Sequence, residues 1–283
     1  MTRLHTPLLA ACLATLALCL GAPGAARAAD MPPSAGPGVH VLAPMTIPGL
    51  DRQRTIRVYL PPGYSASNKR YPVLYMHDGQ NLFDDATSYV GEWGVDEALD
   101  QLAKEGLSVI VVGIDHGGEK RMTELNAWDN PKFGKGEGKQ YTDFIVKVLK
   151  PWVDANYRTR PGRKDTGIMG SSMGGLASQY ALFQYPDVFS LAGIFSPAYW
   201  TAPPVATWTS AHTLGKHDRI YMIAGGKEGD EMTVPFAAMD KQLRAIDKHA
   251  PAIHSEVIAG AEHNERFWRG EFPKAVRFLY GAQ

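Results

Sequence analysis

Ser172 lies between glycines in Gly170-Ser171-Ser172-Met173-Gly174, after an apolar run from Thr166 and before a small-residue helical pattern through Gln179. A serine on a sharp strand-to-helix turn sits in strained backbone where neighbouring Cβ atoms would clash, so flanking glycines suit a nucleophile elbow. Such a turn exposes the hydroxyl and places Ser172 at a helix N-terminus, where the unpaired Met173 amide can stabilise an oxyanion. The five-residue string also arises by chance, so its setting between strand and helix carries the reading.

A serine hydroxyl near neutral pH needs a base, and the base needs a carboxylate to hold its tautomer. Serine, acid and histidine follow in that chain order in α/β-hydrolases. Of nine histidines, five follow Ser172: His212, His217, His249, His254 and His263. His263 lies in Gly260-Ala261-Glu262-His263-Asn264, a loop after a strand pattern and before the last helix, and is the expected base. His254 is expected inside a strand, and the other three at solvated positions. The acid should leave the preceding strand, and Ile220 to Ala224 opens into Gly225-Gly226-Lys227-Glu228-Gly229-Asp230-Glu231. Glu228 follows the glycine pair and is favoured, with Asp230 the alternative and Glu231 a solvated position. The second oxyanion donor is expected after the Pro72 to His77 strand, where Gly79 allows a tight turn and Gln80 presents its amide. His77 and Asp78 read as scaffolding of that loop.

These residues need a sheet to position them. Thr55 to Leu60 and Pro72 to His77 are apolar and β-branched or aromatic, each bounded by proline or glycine. Val95 to Leu102 has helical spacing, Ser108 to Ile114 is a continuous apolar run, and Tyr141 to Tyr157 has apolar residues at helical intervals. The rhythm continues through Leu191 to Phe195, Ile220 to Ala224, a helix over Val234 to Lys248, the strand Ile253 to Ile258 and a terminal helix. Continuous apolar strands imply a mostly parallel central sheet with helices on both faces. Ligands then bind beyond the carboxyl ends of the strands, where Ser172 lies. Thr201 to His217, with two prolines and little periodicity, is expected to form a partial lid.

The chain has 283 residues. Its start reads as a secretory signal: Arg3 in a short polar region, an apolar stretch from Leu8 to Leu20, and Ala26-Arg27-Ala28 as a cleavage site after residue 28. The stretch is shorter than the roughly 20 residues of a membrane span, so no span is expected in the mature chain. Residues 29–38, rich in proline, glycine and alanine, read as a flexible lead-in, and 39–283 as one domain. Both cysteines, Cys12 and Cys19, fall in the signal, which leaves no disulfide despite expected export to the periplasm or beyond. Losing Arg3 and Arg27 turns 29 basic and 29 acidic residues into 27 against 29, a net −2. That balance attracts neither nucleic acid nor an anionic membrane, and a small ester is the natural partner.

Several further segments combine with the elbow into a resemblance: HDGQNLFD from His77, EWGVDEAL at Glu92 to Leu99, YRTRPGR at Tyr157 to Arg163, GSSMGGLAS at Gly170 to Ser178 and FSPAYW at Phe195 to Trp200. Together with the His263 loop they resemble the putative esterase, or esterase D, family of α/β-hydrolases, and span nearly the whole mature chain. The resemblance implies a serine esterase using Ser172, Glu228 and His263, with no cofactor. Its members include siderophore trilactone esterases, feruloyl and acetyl xylan esterases, S-formylglutathione hydrolases and mycolyl transferases. Export disfavours S-formylglutathione, a cytosolic thioester. His116, after Ile114-Asp115, departs from the small polar residue often found there.

Competing chemistries find less support. Gly134 to Lys139 lacks the spacing of a phosphate loop, and Gln140 stands where a hydroxyl residue is required. No H-E-x-x-H occurs and the histidines are dispersed, so no metal is expected. An acyltransferase using the same acyl-serine, and a non-catalytic binding protein of the same fold, are the alternatives.

Overall fold

The computed structural model describes residues 32–246 and 251–281. The expected signal, Cys12, Cys19 and His249 lie outside them. The main sheet has eight strands: β1 (Val39–Val41), β4 (Ile56–Tyr59), β5 (Val73–His77), β6 (Ile110–Ile114), β7 (Thr166–Ser171), β8 (Leu191–Phe195), β9 (Arg219–Gly225) and β10 (Ala252–Ile258). Their order across the sheet is β1-β4-β6-β5-β7-β8-β9-β10. The pairs from β6 through β10 are parallel, and near one edge β4 runs antiparallel to both of its neighbours, β1 and β6. A small separate hairpin joins β2 (Met45–Ile47) to β3 (Arg52–Arg54).

The period of two along each strand divides the core. Tyr75, Val112 and Ile168 face one cluster, completed by Phe144 and Leu149, by Leu176 and Ala181 of α5 (Met173–Gln184) and by Phe236 of α7 (Asp230–Ala245). Leu74, Val111 and Met169 face the other, filled by Leu99 and Leu102 of α1 (Val95–Lys104) and Phe272 and Val276 of α8 (Glu265–Tyr280). Both faces are covered, which is why the strands read as unbroken apolar runs. Burying each large aliphatic side chain contributes about 1.5–3 kcal/mol. Eleven of the twelve residues of α5 are buried, so the helix that starts at Ser172 is held on nearly all sides.

Some element bounds differ from expectation for identifiable reasons. The helix expected over 141–157 begins at Gly138 and is divided into α3 (Gly138–Phe144), a π-helical turn (Ile145–Leu149) and α4 (Lys150–Asn156). Pro151 in the first turn of α4 lacks an N–H and crowds the preceding carbonyls, which the wider turn accommodates. Helix α7 starts at Asp230, earlier than the apolar pattern suggests; Asp230 and Glu231 in its first turn complement the helix dipole, and Pro235 lies inside it. The lead-in is tied down from Ser34 onward. The Gly36 amide donates to Asp96 Oδ2 at 2.7 Å, and Ser34 Oγ accepts from the Asp85 amide at 2.8 Å.

Thr201 to His217 does not cover the Ser172 site. It folds as α6 (Val205–Ser210), and Trp208 packs against Tyr180 and Phe183 of α5. His212 lies against Trp208 at 4.2 Å between ring centroids, so it is part of this packing and not a freely solvated residue. His254 sits in β10 as expected, stacked on Tyr221.

Candidate active site

The strand ends converge on Ser172. Its backbone has φ 57° and ψ −117°, a conformation that L-residues seldom adopt, and it caps α5 directly after β7. The Ser172 amide donates to the Phe195 carbonyl at 2.9 Å, and its own carbonyl accepts from Leu176 and Ala198. A Cβ at Gly170 would lie 2.9 Å from the Gly174 carbonyl carbon and from the His77 ring, so the turn closes only with glycine there.

His263 and Glu228 come together from two other strand ends. His263 Nδ1 lies 3.2 Å from Glu228 Oε2, off the line of an ideal hydrogen bond. The Glu228 side chain is fully buried, whereas that of His263 is 36% exposed. Glu228 Oε1 accepts from the Gly225 amide at 2.9 Å and from Ser196 Oγ at 2.6 Å. Ser196 in turn accepts from the Trp268 indole N–H at 3.0 Å, and the Trp268 ring stands edge-on to His263. A buried carboxylate with several donors is held in one orientation. Asn264 caps α8 by accepting from the Phe267 amide at 3.1 Å, which fixes the backbone beside His263. Asp230 and Glu231 are exposed on the first turn of α7.

The loop after β5 forms the other side. Asp78, and not Gly79, makes the left-handed turn, at φ 56° and ψ 48°. Gly79 serves close approach instead, because a Cβ there would lie 2.8 Å from the Gly113 carbonyl carbon at the end of β6. Gly79 to Asn81 form one turn of 3-10 helix. Among the described residues, neither the Gln80 nor the Met173 amide donates to a loop, turn or cap carbonyl. Gln80 also holds the His116 loop, its Oε1 accepting from the His116 amide at 3.1 Å.

Ser172 and His263 share a cavity of about 320 Å³. His77, Asp78 and Arg121 form part of its lining, along with His116 and Glu265. Tyr89, Val90, Trp93 and Trp268 supply apolar and aromatic wall. Sequence reasoning missed the pairing of Asp78 with Arg121, in which the guanidinium donates to both carboxylate oxygens at 2.7 and 2.9 Å. Burial is the largest influence and pushes the Asp78 carboxyl upward, but the charge and hydrogen bonds of Arg121, together with the nearby His116 and His77, outweigh it and hold the group below its ordinary value. Arg121 is carried by α2 (Arg121–Glu124), whose Glu124 is clamped by Arg52 and Arg54 of β3. A larger cavity of about 750 Å³ lies at the opposite, amino ends of the strands, where Pro72, Leu191 and Ala252 line it, remote from the elbow.

His77 is buried beside the elbow, with Nδ1 2.9 Å from the Tyr141 hydroxyl and Nε2 unpartnered. Burial lowers its pKa from 6.5 to about 4, the Asp78 charge opposing this and Arg121 assisting. Between those values the unfolded chain binds a proton that folded His77 excludes, so stability falls as pH drops through that window and is constant above it. The full shift corresponds to about 3 kcal/mol. We expect the loss of stability between pH 7 and pH 4 in urea melts to be smaller in His77→Asn than in the wild type by about 2–3 kcal/mol. An equal loss in both would show that His77 does not govern the acid limb.

The architecture has recognisable counterparts. A model of the family described as "Putative esterase" matches residues 47–279. The chain belongs to the putative esterase family. This esterase is a carboxylic ester hydrolase, which the family match and relatives named as esterases support. It is similar to the uncharacterized protein YbbA of Bacillus subtilis, 25% identical over 242 residues that cover 81% of this chain and 93% of that one. A 23% identity over 234 residues relates it to an endo-1,4-beta-xylanase/feruloyl esterase of Xylanibacter ruminicola, covering 81% of this chain but 30% of that longer protein. The solved structure of the siderophore hydrolase EstB from Aspergillus nidulans superposes with a TM-score of 0.70 at 18% identity, covering 87% of this chain and 96% of EstB. At that identity the likeness establishes the shared α/β fold. Among the described residues, no helix of this esterase is long and apolar enough to cross a membrane.

Proposed function

We propose that this esterase works through an acyl-serine on Ser172, with His263 as general base and acid and Glu228 as the carboxylate that orients it. The observation that carries the reading is the 3.2 Å approach of His263 Nδ1 to a fully buried Glu228, with His263 and Ser172 on one cavity. His263 Nε2 takes the Ser172 proton as Oγ attacks the ester carbonyl, and the Met173 and Gln80 amides receive the oxyanion. The imidazolium then gives that proton to the departing alcohol or phenol. Water attacks the acyl-serine, loses a proton to His263, and Ser172 leaves with a proton as the acid departs.

The substrate class in this proposal is an ester whose acyl side carries an aromatic ring, either the N-aroyl-serine ester of a siderophore trilactone or the feruloyl ester of a polysaccharide. Tyr89, Trp93 and Trp268 in the cavity lining suit a planar acyl ring, and relatives named as feruloyl esterase and siderophore hydrolase support it. Residues 1–28 are proposed to direct export, which places the enzyme where such esters are met. A panel of p-nitrophenyl esters of graded length, methyl ferulate and enterobactin tests the assignment. We expect kcat/KM for one of the aromatic acyl esters to exceed that for any simple alkanoate by about tenfold or more, the size of effect that a filled apolar pocket supplies. A preference for short alkanoates would reject the aromatic assignment. Release of free acid, with no acyl transfer to added alcohol, distinguishes hydrolysis from transferase action.

A further inference from the structure

We infer that Glu92, Asp96 and Glu97 form a calcium site that pins the start of α1 and the cavity's outer wall. Each offers one carboxylate oxygen, and the three atoms lie within 4.8 Å of one another. Oxygens bound to one calcium ion at about 2.3–2.6 Å lie no more than about 5.2 Å apart, so three atoms this close fit within one coordination shell. Glu92 and Asp96 are only 5% and 2% exposed. Glu92 Oε2 and Asp96 Oδ1 are buried with no hydrogen-bond partner, although buried carboxylate oxygens are ordinarily paired. Glu97 is exposed, which leaves room for water to complete the six to eight oxygen ligands that calcium takes.

No basic side chain among the described residues is paired with this cluster. Among the described residues none of the three carboxylates forms an ion pair within 4.0 Å, and the Arg269 guanidinium packs against Gly94 without reaching them. The positive end of α1 accounts for acids in its first turn, but it leaves the two orphaned oxygens unexplained. The donors are all hard oxygens, with no histidine or cysteine, which selects calcium or magnesium over zinc or copper. The irregular, partly exposed ligand set favours calcium, because magnesium demands a near-ideal octahedron.

The position connects the ion to the site. Asp96 Oδ2 already holds the Gly36 amide, and the Glu92 amide donates to Asp85 Oδ1 at 2.9 Å. The intervening loop carries Tyr89 and Val90 of the cavity lining, and its Thr87 hydroxyl donates to the Gln80 carbonyl at 2.7 Å. Trp93, next to Glu92, stacks on Phe195 at the end of β8. A cation here would tie the lead-in, the loop and α1 together beside the cavity.

The full chain, freed of metal with EDTA, is titrated with Tb³⁺, whose emission Trp93 can sensitise, and then with calcium or magnesium as competitors. We expect sensitised emission displaced by calcium with a Kd of about 10⁻⁴ to 10⁻³ M, the range of extracellular calcium modules, and displaced about tenfold less well by magnesium. Melting should rise by several degrees in about 10 mM calcium relative to EDTA, because the ion binds only the folded state. Glu92→Gln and Asp96→Asn, isosteric changes that leave the packing in place, should each lose at least tenfold in affinity and most of the thermal shift. Absence of a calcium-dependent shift in the wild-type protein overturns the site, as does undiminished Tb³⁺ emission in both variants. The wild-type titration decides the matter even if a variant fails to fold.

Discussion

Ser172→Ala will lower kcat on the best ester on the order of 10⁶-fold, as expected when the nucleophile of an acyl-serine mechanism is removed. His263→Ala should fall by a similar factor, and the double variant should be no slower than either single one, because nucleophile and base act as a unit. Residual rates above the uncatalysed reaction would come from the Met173 and Gln80 amides. Initial rates of the three variants, each checked for folding by circular dichroism, test this. Substantial turnover in purified Ser172→Ala would overturn the assignment. The same position separates chemistry from strain. Alanine inherits the unusual backbone at φ 57°, while glycine adopts it freely, so Ser172→Gly should be as inactive as Ser172→Ala yet unfold at higher urea.

Glu228→Gln should reduce kcat by about 10⁴-fold with little change in KM, while Asp230→Asn should change neither by more than about twofold. The glutamine keeps the shape and can still accept from Gly225 and Ser196 through its carbonyl oxygen. Its amide then faces His263 Nδ1, which favours the wrong imidazole tautomer and leaves the imidazolium without a counter-charge. Asp230 lies exposed on α7, where a charge is screened and its loss is nearly neutral. Parallel Michaelis–Menten measurements on both variants decide between the two carboxylates, and a collapse confined to Asp230→Asn would reassign the acid.

The strand rhythm and the Ser172 elbow were legible because both rest on local signals: apolar runs bounded by turn residues, and glycines where side chains cannot fit. Chain order singles out His263 as the candidate base, and the structure brings it to Glu228. The choice between Glu228 and Asp230 stayed open because neighbouring carboxylates in one loop differ only in what the fold places over them. Ser196 reaches Glu228 from the end of β8 and is itself held by Trp268 from the start of α8, and no periodicity reports such contacts. The Asp78–Arg121 pair joins residues 43 apart in sequence, so neither residue signals its partner. The prolines of Thr201 to His217 suggest a loose lid, but Trp208 finds Tyr180 and Phe183 and docks the segment on α5. The three-residue strands β1, β2 and β3 are too short for alternation to stand out.

The elbow's tight backbone also bears on how this enzyme can be changed. Side chains at Gly170 and Gly79 would collide with main-chain atoms, so the reacting centre tolerates almost no variation. Tyr89 and Val90 are 87% and 61% exposed on a surface loop that lines the same cavity, and replacements there displace no core residue. Adaptation to a new acyl group therefore has a physically cheap route through this loop and an almost closed one through the sheet. A mutant library confined to residues 86–91 and His116 should yield altered selectivity with the fold intact, whereas one spread over 170–175 should yield mainly unfolded protein.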